Sequence, residues 1–186
     1  MSDIRPNAIG LDFGTSNSAV TCVDATGAAR LAGFGGPAGT TETFPSILHF
    51  EREVEKGVPN LRAHAGQAAI ERYLSHESPG RLIRSLKAYL ADRSFEGISL
   101  YGRHLTLPDL IAAFLRKLLE AAAPTIGPIP ARVVVGRPVN FSNERSESAN
   151  SFALAQLLKS VQACGFEQIV FEYEPVAAAY SYEQAL

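Results

Sequence analysis

The 186-residue chain has no tryptophan, one methionine and two cysteines, Cys22 and Cys164. Two cysteines, each in an apolar stretch, do not make a disulfide framework, so both read as buried reduced thiols. Charge of one sign is lacking too: 17 Lys+Arg stand against 19 Asp+Glu, a net charge of -2. Without a basic stripe, nothing favours a nucleic-acid surface, and no nucleic-acid partner is expected. No apolar run reaches bilayer length and the first six residues carry no apolar signal core, so a membrane span is not expected and the expected compartment is the cytoplasm. The Asn140-Phe141-Ser142 sequon is then without consequence. There is no G-x-x-x-x-G-K-[ST] either, which removes a P-loop as a phosphate site. At 46% hydrophobic, the chain can still bury one ordinary core.

What is present is periodic. Ile9, Leu11 and Phe13 alternate with Gly10 and Asp12, the period of a half-buried strand, and Asp12 falls opposite the apolar set. After the Gly14-Thr15-Ser16-Asn17 turn, Ala19-Val20-Thr21-Cys22-Val23 reads as a second strand, so the two predict a hairpin. Its tip gathers hydroxyls, backbone N–H groups and one carboxylate. Such a tip can hold a phosphate while the carboxylate holds a hydrated metal ion. By pattern alone, a hairpin with ordinary turn residues explains the stretch about equally well.

Residues 28–32 suggest a third strand and the glycine-rich residues 33–39 a loop. The middle of the chain predicts a strand over 45–50, helices over 66–74 and 81–90, and a hairpin over 98–105 turning at Tyr101-Gly102-Arg103. Thr106 reads as a helix N-cap, with Pro108 near the first position and Asp109 in the first turn. Leu110, Ile111, Phe114, Leu115, Leu118 and Leu119 then form one apolar face, with Pro124 expected to stop the helix. Val133-Val134-Val135 reads as a strand covered on both faces. A polar loop over 140–150 leads to a helix bearing Leu154, Leu157, Leu158 and Val161, with Gly165 as its stop. Ile169-Val170-Phe171 is a second buried strand, and Glu174-Pro175 opens a last helix. Parallel crossovers added to an antiparallel hairpin predict an α/β fold with a mixed sheet.

Three suggestive patterns lose to plainer readings. Gly33-Phe34-Gly35-Gly36-Pro37-Ala38 spells a dinucleotide fingerprint, but no βαβ unit surrounds it and Pro37 and Thr40-Thr41 open no helix. Gly14-Thr15-Ser16-Asn17-Ser18 imitates a nucleophile elbow, yet its fifth residue is Ser18 and a strand follows where a helix is needed. His49, His64, His76 and His104 lack metal-ligand spacing and read as surface or packing residues.

The stretch Ile9-Gly10-Leu11-Asp12-Phe13-Gly14-Thr15-Ser16-Asn17-Ser18 resembles the first phosphate motif of the actin-like ATPase superfamily, which includes heat-shock protein 70 (DnaK) chaperones, actin and sugar kinases. Phe44-Pro45-Ser46 resembles the chaperones' Thr-Pro-Ser, Gly66-Gln67-Ala68-Ala69 their Gly-Gln-Pro-Ala, and Glu174-Pro175-Val176-Ala177-Ala178-Ala179 their Glu-Pro-Thr-Ala-Ala-Ala, all in order. Val135-Gly136-Arg137-Pro138-Val139-Asn140-Phe141 and residues 165–175 look closer still to the YegD-like branch. The resemblance spans essentially the whole chain.

That resemblance implies a ribonuclease-H-like mixed sheet flanked by helices: a core of about residues 1–40 and 106–186, and a small inserted α+β subdomain of about 41–105. It implies the N-terminal lobe of an ATP-binding chaperone domain, with ATP or ADP and Mg2+ as cofactors. The phosphate loop falls on Gly14, Thr15 and Ser16, and the carboxylate that holds metal through water on Asp12. Lys87, in Ser85-Leu86-Lys87-Ala88-Tyr89-Leu90, matches the lysine that reaches the terminal phosphate. Glu174 matches the carboxylate tied to water positioning, and Pro175 the switch proline. A second phosphate loop and an adenosine pocket are missing from this sequence, so it reads as one lobe whose expected partners are a second lobe, a possible substrate-binding domain, unfolded clients and co-chaperones. ATP hydrolysis is then expected of the two-lobed protein and not of this chain alone. A sugar- or acid-kinase lobe and a non-catalytic nucleotide sensor are the alternatives; the Glu-Pro-Val-Ala-Ala-Ala segment argues against the kinase.

Overall fold

The computed structural model describes residues 6–36, 39–55, 58–75, 80–142 and 146–183. The alternation that begins at Ile9 becomes the middle of a mixed sheet. β1 (Ala8–Asp12) and β2 (Asn17–Val23) pair antiparallel, Leu11 opposite Val20 and Asp12 opposite Ala19, and β3 (Ala29–Leu31) follows along the outer side of β2. Residues read as a glycine loop instead make a hairpin of β4 (Phe34–Gly36) and β5 (Gly39–Thr41). Phe34 explains the difference: it is buried against Phe44, ring centroids 5.1 Å apart, and this contact anchors a run that local propensity leaves loose. β6 (Phe44–Pro45) then pairs with the start of β2, Asn17 opposite Pro45 and Ser18 opposite Phe44.

A second sheet, ordered β8-β7-β9, contains β7 (Ile47–Glu55), β8 (Val58–Ala65) and β9 (Gly80–Arg84), with α1 (Gly66–Ser75) between the last two in sequence. The helix expected over 81–90 is not formed. β9 and a 3₁₀ turn, Leu86–Tyr89, take its place, separated by Ser85 in the left-handed region at φ 59. Leu82, Ile83, Leu86 and Leu90 satisfy a helical period, but the free edge of β7 offers backbone partners, and pairing there outweighs local preference. β10 (Ile98–Leu100) and β11 (Arg103–Leu105) form the predicted small hairpin.

α2 (Leu107–Ile126) starts as the sequence predicts. Thr106 Oγ1 accepts from the Asp109 N–H and Asp109 Oδ2 accepts from the Thr106 N–H, a capping box. Pro124 does not stop it. A proline this close to the end removes one intrahelical bond only, and the added turn buries Ile126 while the Gly127 N–H caps Ala123. β12 (Arg132–Arg137), α3 (Glu147–Gln162), β13 (Gln168–Tyr173) and α4 (Glu174–Glu183) complete the chain; β12 lies parallel to β1, and β13 parallel to β12. The first sheet therefore runs β13-β12-β1-β2-β3, with β6 attached to β2.

The two faces of this sheet differ. Ile9, Leu11, Val20, Val133 and Val135 share one buried cluster with Phe114 and Leu118 of α2 and Leu157 and Val161 of α3. Each such side chain removed from water contributes about 1.5–3 kcal/mol. Gly10, Asp12, Val134 and Gly136 alternate onto the other face, where α4 leaves an open cleft. Among the described residues no helix is long and apolar enough to cross a membrane.

Candidate functional site

The end of β1 and the turn after it are shaped by one close approach. A Cβ on Gly14 would stand 2.0 Å from the Asn17 carbonyl oxygen, so only glycine fits. The Gly14 N–H donates to Ser18 Oγ at 3.3 Å, Ser18 Oγ shares a 2.9 Å hydrogen bond with Ser46 Oγ, and the Ser46 N–H donates to the Ser16 carbonyl at 2.8 Å. Thr15 and Ser16 are exposed, which leaves their hydroxyls open to a ligand.

Lys87 and Glu174, far apart in sequence, come together beside Asp12. Buried Leu86 and Leu90 seat the 3₁₀ turn, and Lys87 Nζ donates to Glu174 Oε1 at 2.5 Å. The Lys87 side chain is 12% exposed and that of Glu174, the first residue of α4, 35%. Asp12 faces the cleft, reached by solvent yet flanked by protein. Partial burial pushes its carboxyl above the usual carboxylate range; Lys87 acts against this through space and Glu174 adds to it. The ionised form of Asp12 is thus held at a cost that a further cation would relieve.

The cleft measures about 510 Å³ and is lined by Gly10, Asp12, Gly136, Glu172, Glu174 and Tyr180 among others. A Cβ on Gly136 would lie 3.4 Å from Glu174 Cγ, so glycine keeps the cleft floor low. Pro175 occupies the first turn of α4, where a missing N–H costs no helical bond, and it is not in the cleft lining. A second groove, about 430 Å³ and lined by Phe34, Thr41, Phe44 and Gln67, contains none of the expected site residues.

The donor set fits a hydrated metal better than a directly ligated one. Among the described residues no three His, Cys, Asp or Glu gather as a metal-binding group. Asp12, the one of the three cleft carboxylates on β1, suits magnesium, which keeps most of its waters and takes one or two carboxylates. Thr15 and Ser16, in the turn that follows Asp12, are exposed but are not in the cleft lining.

The described histidines stay outside this arrangement. His49 is buried, His64 bonds to Glu51, His104 meets the Glu96 carbonyl, and His76 lies outside the described residues, as do residues 143–145 of the expected polar loop. Both cysteines are free, and burial pushes the Cys164 thiol up to about 11. Sequence reasoning missed Ser18, Ser46, Gly136 and Glu172. Ser18 carried a signal, a hydroxyl at a buried position of the alternating strand; Ser46 carried none, because its role depends on a long-range pairing. No family model matches the chain.

Proposed function

We propose that the chain is the N-terminal lobe of a DnaK-like chaperone ATPase domain, with the ribonuclease-H-like arrangement of the actin-like ATPases, and that its first hairpin holds the phosphates and magnesium of ATP. The observation that carries this reading is the convergence of Asp12, Lys87 and Glu174 beside a turn that only glycine can make. The sheet order supports it: an antiparallel meander of β1, β2 and β3 extended by the parallel crossovers β12 and β13. Residues 41–105, with the second sheet, would be the inserted subdomain between the core segments 1–40 and 106–186.

Phosphoryl transfer to water asks for neutralised phosphate charge and an oriented nucleophile rather than a covalent intermediate. Magnesium, when bound, supplies part of that neutralisation. Asp12 would accept hydrogen bonds from the metal's waters, and Thr15 and Ser16 would donate to phosphate oxygens. Lys87 would exchange Glu174 for the terminal phosphate, and the released carboxylate would orient water. A second lobe would close the cleft, and coupling to a substrate-binding domain, clients and co-chaperones follows from the same reading. One alternative has an observation of its own. A Lys87 held by Glu174 at 2.5 Å also suits a nucleotide sensor without turnover.

Titration of the chain with magnesium-ATP, followed by amide NMR, tests the reading. Shifts are expected at residues 12–17, 87 and 174, with a Kd of about 1 mM or weaker, a net binding energy of roughly 4 kcal/mol or less. No phosphate release is expected. Shifts confined to the second groove, or none well above that concentration, overturn the phosphate site; micromolar affinity overturns the one-lobe reading.

A further inference from the structure

We infer that Ser18 and Ser46 are positioning residues that hold the Gly14–Ser16 turn and couple it to the second sheet, an inference that rests on the turn being a phosphate site. Ser18 is 1% exposed and Ser46 3%. Burying a hydroxyl is unfavourable unless it is hydrogen-bonded, and here the two satisfy each other at 2.9 Å. Their remaining bonds go to the turn. Ser18 Oγ takes the Gly14 N–H, and the Ser46 N–H goes to the Ser16 carbonyl. Positions 14 and 16 are therefore tied to position 46, far along the chain.

Two local features give these bonds their weight. The Gly14 turn brings backbone so close to backbone that no side chain fits at position 14. Pro45 faces Asn17 but has no N–H, so it cannot donate to the β6–β2 pairing, and the Ser46 N–H is the next backbone donor along the chain. Ile47, the next residue, begins β7. A displacement of the second sheet is thereby felt at the Ser16 peptide. A ligand that reorients that peptide is felt in turn at β7. Buried serines that merely pack would give no such two-way link.

The test uses the whole chain with magnesium pyrophosphate as probe, and amide exchange as readout. Ser18→Ala and Ser46→Ala should each speed exchange at residues 14–17 by about tenfold, the scale of one lost hydrogen bond. The double variant should be little worse than either single one, since the pair acts as a unit. Ser46→Thr, which keeps the hydroxyl that alanine lacks, should restore slow exchange and guards against simple failure of the alanine variants to fold. Pyrophosphate should slow exchange at residues 14–17 and 47–48 in the unaltered chain; in Ser46→Ala, which loses the hydroxyl link but keeps the Ser46 N–H to Ser16 bond, the response at 47–48 should shrink rather than vanish. Additive alanine effects, or a response at 47–48 in the unaltered chain that is undiminished in Ser46→Ala, overturn the inference. If the alanine variants loosen the turn as stated but pyrophosphate changes nothing in any protein, the positioning stands and the phosphate reading falls.

Discussion

Glu51 and Glu174 each face a cation, but their surroundings are opposite in kind. Glu51 lies in the second sheet beneath α1, 4% exposed, and its Oε1 accepts from His64 Nε2 at 2.9 Å and Arg72 at 3.2 Å. Burial pushes its carboxyl up, and the bonds to His64 and Arg72 outweigh that and hold it below the usual range. His49 stands opposite His64 in the β7–β8 pairing, with Tyr73 of α1 near its ring and so little room above Gly80 that a Cβ there would touch the imidazole. Among the described residues the Glu174 carboxylate has one bond, from Lys87, and it lines the cleft. Among the described residues Asp12 is in no ion pair. The sheet cluster spends its cations on its carboxylate, whereas the cleft holds an exposed carboxylate, Asp12, on which Lys87 acts only through space. That difference separates a group used to hold structure from one suited to hold a ligand.

The largest effect that could break the comparison is on stability. Glu51→Ala should cost about 3 kcal/mol in urea unfolding, the low end for breaking a buried pair, because Arg72 keeps access to water. Glu174→Ala should cost less, about 1 kcal/mol, since its pair reaches solvent. Equal losses would erase the distinction.

Acid should separate the two regions next. Burial, only partly opposed by Glu51, holds His49 below its ordinary 6.5, with His64 and Arg72 adding to the depression. Its contribution to stability is full above pH 6.5 and falls as the pH drops below that, because the unfolded chain then binds the extra proton. Glu51, also depressed, adds a further loss as the pH falls through its own lower value. Asp12 runs the other way: raised in the fold, it favours folding at low pH and loses that contribution as the pH rises through its folded value. His49→Leu should therefore flatten the decline just below pH 6.5, and Asp12→Asn should leave that decline in place. Thermal melts across the range check both.

How far these features could be read beforehand depended on distance along the chain. The hairpin was legible because Ile9, Leu11 and Phe13 alternate with Gly10 and Asp12 within five residues and a turn follows, and α2 because Thr106, Pro108 and Asp109 mark its start locally. β9 was not, since residues 81–90 satisfy a helical period and only the edge of β7 decides between the two. The same limit governs the sites. Asp12 was marked by the strand pattern, Lys87 and Glu174 came from motif resemblance, and no spacing in the sequence says that the three meet. Glu51, His64 and Arg72 are joined by strand register and by a helix folded over it, so the histidines read as surface or packing residues.

A smaller effect sharpens the cleft side. Asp12→Asn should leave stability within about 0.5 kcal/mol or raise it slightly, since it removes a charge held at a cost. It should weaken the magnesium dependence of nucleotide binding, which titration with and without the metal measures.

Paramagnetic broadening tests the central claim most directly. Manganese with ATP, added to the labelled chain, puts the broadening centre wherever a hydrated divalent ion and phosphates are held together. Amides of residues 12–17 and the Lys87 and Glu174 signals should broaden first, with His49, Glu51 and His64 unaffected, and Asp12→Asn should weaken the effect. Broadening centred on the Glu51 cluster, or unchanged broadening of residues 12–17 in Asp12→Asn, would contradict the assignment of the cleft as the metal-phosphate site.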